Sequence, residues 1–160
     1  MVRRMTCWWF AGLVVTATSP IAPAEDGPAA EVEALGARCS RDPAGETIGV
    51  DLSNTWVTDA DLAKVARLPR LRSIDLAHTR ITDQGLEALA GVTKLQQLSL
   101  DSTNVTDASV RFLQGFRQLR KLNLYHTFVT EKGCRQVREA IPRCEIIFDP
   151  KSSDPKRRRS

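Results

Sequence analysis

The sequence predicts an α/β fold, a right-handed solenoid with parallel strands on one face and short helices on the other. Three observations carry that prediction. The chain repeats itself every 24 residues, in units that begin at Thr47, Leu71, Leu95 and Leu119. The unit opens with apolar residues at positions 1, 4 and 6, as in Leu71, Ile74 and Leu76, the alternation of a short strand with one side turned inward; Thr47 replaces the leading Leu in the first unit. Each unit then carries a Thr followed by Asp or Glu and a run of apolar residues at three-residue spacing, the pattern of a capped amphipathic helix. One strand and one short helix cannot bury these side chains alone, so neighbouring units must stack.

In chain order, residues 1–24 have the composition of a secretory signal peptide. Arg3 and Arg4 precede an uncharged run from Cys7 to Val15, and Ala22-Pro23-Ala24 fits the small-x-small cleavage rule before Glu25. An uncleaved membrane anchor is the rival reading. A spanning helix needs about 20 apolar residues, and Pro20 and Pro23 interrupt this run. Cleavage leaves Glu25 first and no transmembrane span in the mature form, so the expected location is secreted or periplasmic. Residues 25–46 are read as a leader and N-terminal cap, with Val32, Leu35 and Cys39 spaced for a short helix across Glu31 to Cys39.

Residues 47–148 hold the repeats. Strands are expected near 48–52, 72–76, 96–100, 120–124 and 145–148, and helices at 59–66, 83–90, 107–114 and 131–140. Thr58, Thr82, Thr106 and Thr130 supply a capping oxygen, and the Asp59, Asp83, Asp107 and Glu131 that follow place negative charge at the positive end of the helix dipole. Gly91 and Gly115 fall where a left-handed residue closes a helix. The fourth unit runs on through Ala140, Ile141 and Pro142 to a terminal strand in which Ile146 and Phe148 repeat positions 4 and 6. Residues 149–160 include KSSDPKRRRS, which has no apolar residue and is expected to be a disordered basic tail.

Units of the form LxxLxLxxT followed by TDxGL resemble the short 24-residue class of leucine-rich repeats common in bacterial proteins. The resemblance covers Thr47 to about Phe148. It implies a stacked solenoid that recognises another macromolecule, and it names no partner. The family's usual Asn or Cys at position 9 is here Thr55, Thr79, Thr103 and Thr127. By analogy with that ladder, these hydroxyls are expected to bond backbone in the turn.

Charge narrows the partners. Without Arg3 and Arg4 the chain has 21 basic and 19 acidic residues; its last ten residues hold five basic and one acidic, so residues 25–150 carry about −2. The basic balance belongs to the tail, which argues against a specific nucleic-acid partner for the domain. The tail residues Lys156 to Arg159 have the composition to touch anionic surfaces.

Chemistry is sparse. Cys134 and Cys144 have inward parity, and two readings stand: small buried side chains of the C-terminal cap, or a bridge that an oxidising compartment permits. His78 and His126 share position 8, two units apart, so their backbones stand roughly 9–10 Å apart at ~4.7 Å per strand. A trio of His78, Ser102 and Asp101 can be drawn on paper, but an open sheet offers no pocket or oxyanion hole. The chain is therefore expected not to be an enzyme and to need no metal or cofactor.

The outward face remains. Its candidate binding residues are Asp75, His78, Asp101, Tyr125 and His126, together with Trp56 and Phe128 from the position-10 column, where bulky aromatics are not needed by the core. Local alternatives stand beside them: Trp56 stacking on Arg80, and Phe128 covering the C-terminal cap. The reading that follows is a secreted or periplasmic protein-interaction module binding through its strand-lined face. A structural envelope component without a dedicated partner, and a His-dependent metal or catalytic site, are the alternatives.

Overall fold

The computed structural model describes residues 27–151. The signal peptide read at 1–24 and the basic residues Lys156–Arg159 lie outside the described residues.

The chain begins with α1 (Pro28–Glu33) and β1 (Arg38–Arg41). Pro28 suits the first helical turn, where its missing N–H is not needed. Gly36, at φ +87°, then turns the chain sharply. This corrects the expected helix across Glu31 to Cys39: the helix ends at Glu33, and Cys39 lies on a strand. The packing residues were the right ones, since Val32 is fully buried and Leu35 and Cys39 pack against the core.

The repeats follow as β2 (Thr47–Asp51), α2 (Asp59–Val65), β3 (Ser73–Asp75), α3 (Asp83–Ala88), β4 (Gln97–Ser99), α4 (Val110–Leu113), β5 (Lys121–Asn123), α5 (Glu131–Ala140) and β6 (Glu145–Ile147). All six strands form one sheet in sequence order. From β2 to β6 the pairing is parallel, and the register steps by one repeat: Val50, Ile74, Leu98, Leu122 and Ile146 are partners in turn. The sheet is not wholly parallel, because β1 pairs antiparallel with β2 and gives it an N-terminal edge. Gly49 accommodates that strand, as a Cβ there would strike the Ser40 hydroxyl.

Inward positions supply a continuous core. Leu76, Ile81, Leu86, Leu89 and Leu100 are fully buried, and Phe116 is the largest side chain so enclosed. In the turns after the strands, Thr55, Thr79, Thr103 and Thr127 each donate the hydroxyl to the carbonyl three residues back, at 2.6–2.8 Å. The position-9 ladder thus stabilises each bend from within. Just before it, Asn54, His78, Ser102 and His126 adopt φ of 51–58°. The left-handed residues therefore stand at position 8 and not at Gly91 and Gly115, because the bend after the strand is where the chain reverses; Leu89–Gly91 forms a 3-10 turn instead.

The cap residues are bonded between repeats as well as within them. The Thr82 N–H and hydroxyl donate to the Asp59 carboxylate at 2.8 and 2.6 Å, Thr106 does the same to Asp83, and Thr130 to Asp107. Such charge-assisted bonds tie each helix start to the next. Glycine makes the approach possible: a Cβ at Gly85 would lie 2.5 Å from Asp59 Oδ1, and one at Gly133 would strike Asp107. Position 15 of the third repeat is Ser109, and that repeat alone enters its helix through a 3-10 turn, Asp107–Ser109, so α4 begins later than expected. In the first repeat, which has no preceding unit, Thr58 donates instead to Asp61 of its own helix.

Candidate binding surface

Position 3 and position 5 side chains form the outer face of the sheet. Gly49, Ser73, Gln97, Lys121 and Glu145 stand in one row, and Asp51, Asp75, Ser99, Asn123 and Ile147 in the next. Over β3–β6 the two rows enclose a shallow cleft of about 250 Å³ that runs from Ser73 and Asp75 to Lys121, Asn123 and Ile147.

Much of the polar chemistry near this cleft is committed to the fold. The Asp75 carboxylate accepts the Ala77 N–H at 2.9 Å, and Asn123 accepts that of Tyr125 at 3.0 Å, each closing the turn after its strand. Asp51 accepts both the hydroxyl and the N–H of Ser53, and these bonds hold its carboxyl below the usual carboxylate range. Asp75 thus has a structural role that its position alone did not reveal.

Further along the turns, Asp101, Tyr125 and His126 come together. Ser102 Oγ donates to Asp101 at 2.9 Å, His126 Nδ1 stands 3.6 Å from the same carboxylate, and the Tyr125 and His126 rings lie 3.9 Å apart. His78 is exposed one column-step away, and its backbone serves the left-handed bend. The drawn catalytic trio is not assembled: the Ser102 hydroxyl points its proton at Asp101, and Asp101 faces His126 of the next repeat. Among the described residues no group of three His, Cys, Asp or Glu is placed to hold a metal ion.

At position 10, Trp56 is 81% exposed with the Arg80 guanidinium 5.1 Å above its ring, the stacking that was its local alternative. Phe128 is half-buried and bridges backbone-to-backbone to Thr106. Tyr125 and Ile147, by contrast, stand out from the face at 37% and 38% exposure. Sequence reasoning missed Ile147; the signal was an apolar residue at outward position 5. Cys39, Cys134 and Cys144 are free thiols, which sets aside the bridge between the last two, and burial pushes the Cys144 thiol up to about 11.

The leucine rich repeat family matches residues 51–128. These repeats belong to that family. A leucine-rich repeat protein of Leptospira interrogans is similar at 22% identity and a TM-score of 0.40, over 54% of this chain. The chain spans 27% of that protein's length. No curated protein matches. The matched repeats support a protein-interaction module in general. Among the described residues no helix is long and apolar enough to cross a membrane.

Proposed function

We propose that the protein is a secreted or periplasmic recognition module that holds a protein partner on its strand-lined face. The observation that carries this reading is the cleft over β3–β6. Its Gln97 and Lys121 side chains are exposed and make no hydrogen bond among the described residues, and Ile147 offers apolar surface at one end. Uncommitted polar groups beside an exposed apolar residue are what an interface needs, since a few anchors in a wet polar rim supply most binding energy. The compartment rests on the composition of residues 1–24, with Arg3, Arg4, the uncharged run and Ala22-Pro23-Ala24.

Capture of partners from an envelope fraction, with Tyr125→Ala and Phe128→Ala as comparison baits, tests the face. Tyr125→Ala should weaken capture by about 1–3 kcal/mol, the range of an interface anchor, with an unchanged melting temperature. Capture by both variants equal to that of the original chain would remove the face from recognition. A Phe128→Ala variant that melts early but binds normally would assign that ring to the fold.

A further inference from the structure

The two rims of the sheet differ in the sign of their charge and in how that charge is used. Where the strands end, Asp51, Asp59, Asp75, Asp83, Asp101 and Asp107 all accept hydrogen bonds from their own fold. Where the strands begin stand Arg72, Lys94, Arg117, Arg120 and Arg143, every one exposed. None of these five makes a side-chain hydrogen bond or ion pair among the described residues.

The fold brings the cations together. Gln96 N–H donates to Arg72 O at 2.7 Å, Arg120 N–H to Gln96 O at 2.8 Å and Glu145 N–H to Arg120 O at 2.8 Å, so the starts of β3, β4, β5 and β6 are bonded in a row. Neighbouring steps are roughly 4.8 Å apart, which puts Arg72 and Arg120 about 10 Å from one another. Arg117, Arg120 and Arg143 together with Gln96 and Gln118 line a recess of about 250 Å³ that contains no acidic residue. The repeat pattern does not ask for these arginines. Position 2 is Ile48 in the first repeat and Gln96 in the third, and position 1, an inward Leu in the second, third and fourth repeats, is Arg143 ahead of the terminal strand. Like charges so placed repel one another and give the fold nothing in return, whereas a guanidinium fork matches a carboxylate in two bonds.

We propose that this basic rim docks an acidic segment of the protein partner, with Arg117, Arg120 and Arg143 holding its carboxylates. The proposal rests on the reading of the chain as a protein-binding module and adds the charge of the partner and the edge at which it is gripped. A local run of Asp or Glu fits better than a uniformly charged polymer. A nucleic acid continuing past the rim meets Glu145, the acidic rim across the sheet and a domain whose residues 25–150 carry about −2.

The test uses the full chain and a fluorescein-labelled octaglutamate peptide, read by anisotropy at about 20 and about 150 mM salt. The triple variant Arg117→Gln, Arg120→Gln, Arg143→Gln should weaken binding at least about tenfold and flatten its salt dependence. The corresponding Arg→Lys variant should keep the salt dependence but only part of the affinity, because an ammonium carries the charge without the paired bonds. Replacing Lys156, Arg157, Arg158 and Arg159 by Ala should change it less than about threefold. The substituted arginines make no side-chain bond among the described residues, so matching melting curves confirm that each protein is intact. Tyr125→Ala should leave octaglutamate binding unchanged even where it weakens partner capture, which separates the rim from the face. Absence of saturable binding overturns the proposal, as does binding that survives the Gln variant and disappears with the tail. Tighter, rim-dependent binding of an octathymidylate strand would also overturn it, in favour of nucleic acid.

Discussion

At its N-terminal end the solenoid is covered by added structure, whereas among the described residues its C-terminal end is formed by the last repeat's own helix and the terminal strand. Helix α1 and strand β1 lie over the first repeat, with Val32 fully enclosed and ion pairs joining Arg41 to Glu33, Arg67 to Glu31 and Arg70 to Asp42. Asp61 completes the cap of Thr58, which no preceding repeat can supply. The other end has a ten-residue helix, α5, and the three-residue strand β6, whose Ile146 and flanking Phe148 are only half-buried. A groove of about 400 Å³ runs there between Arg135 and Arg138 on one side and Ile146 and Phe148 on the other. The inter-repeat bonds follow the same division: Asp59, Asp83 and Asp107 each hold the next Thr, and the equivalent position of the fourth repeat is Glu131. A solenoid's ends are thus recognisable by which member of the ladder has been replaced.

The largest effect should come from neither end. Leu98→Ala in the middle of the sheet, where the side chain is 2% exposed, should cost about 2–5 kcal/mol in chemical denaturation. A change within noise would show that the inward face is assigned wrongly and that both ends are misread with it. Next, Val32→Ala should cost about 1.5–3 kcal/mol, since it empties a closed site, and Ile146→Ala only about 1 kcal/mol, since much of that side chain already meets water. Equal losses would erase the contrast between the two ends. Hydrogen exchange should show β6 opening before β2; the reverse order would invert the comparison.

The smallest effect concerns protons at the N-terminal end. Hydrogen bonds from the Thr58 hydroxyl and N–H, with Lys64 beside them, hold the Asp61 carboxyl below its usual range. The folded group binds a proton less readily than the unfolded one, so the stability it adds is present above about pH 4 and is lost as pH falls through the lower folded value. Asp61→Asn should therefore lower stability at neutral pH and reduce its fall between about pH 5 and pH 3. A variant with the same acid profile as the original chain would assign the cap of the first repeat to other groups.

The repeat and the strand register were legible in the sequence because the units align in spacing, and the position-9 hydroxyl bonds were expected from the resemblance to the family's ladder. What escaped notice depends on two units at once or on a residue's tolerance for an uncommon backbone. The Asp59, Asp83 and Asp107 bonds reach 23 residues forward, so within a single unit those side chains read as dipole partners only. Strand β1, with the sequence RCSR, has no apolar alternation to announce it, because its pairing with β2 is set by the chain turn at Gly36 and not by its own composition. At the surface, Tyr125 and His126 were singled out as candidates by their bulk. The row of Arg72, Arg120 and Arg143 was not, because Arg72 and Arg120 hold position 2 only in alternate repeats, Arg143 holds position 1, and they meet only when the strands are laid side by side.

The left-handed column at position 8 limits how this surface can change. A β-branched or bulky aliphatic residue in place of Asn54, His78, Ser102 or His126 would strain the bend, whereas Asn, Asp, His and Gly tolerate it. Evolution of a new specificity is therefore free at Gln97, Lys121 and Tyr125 but must write with a restricted alphabet at position 8 of each repeat. Any two relatives that recognise different partners should differ most in the first three and least in that column.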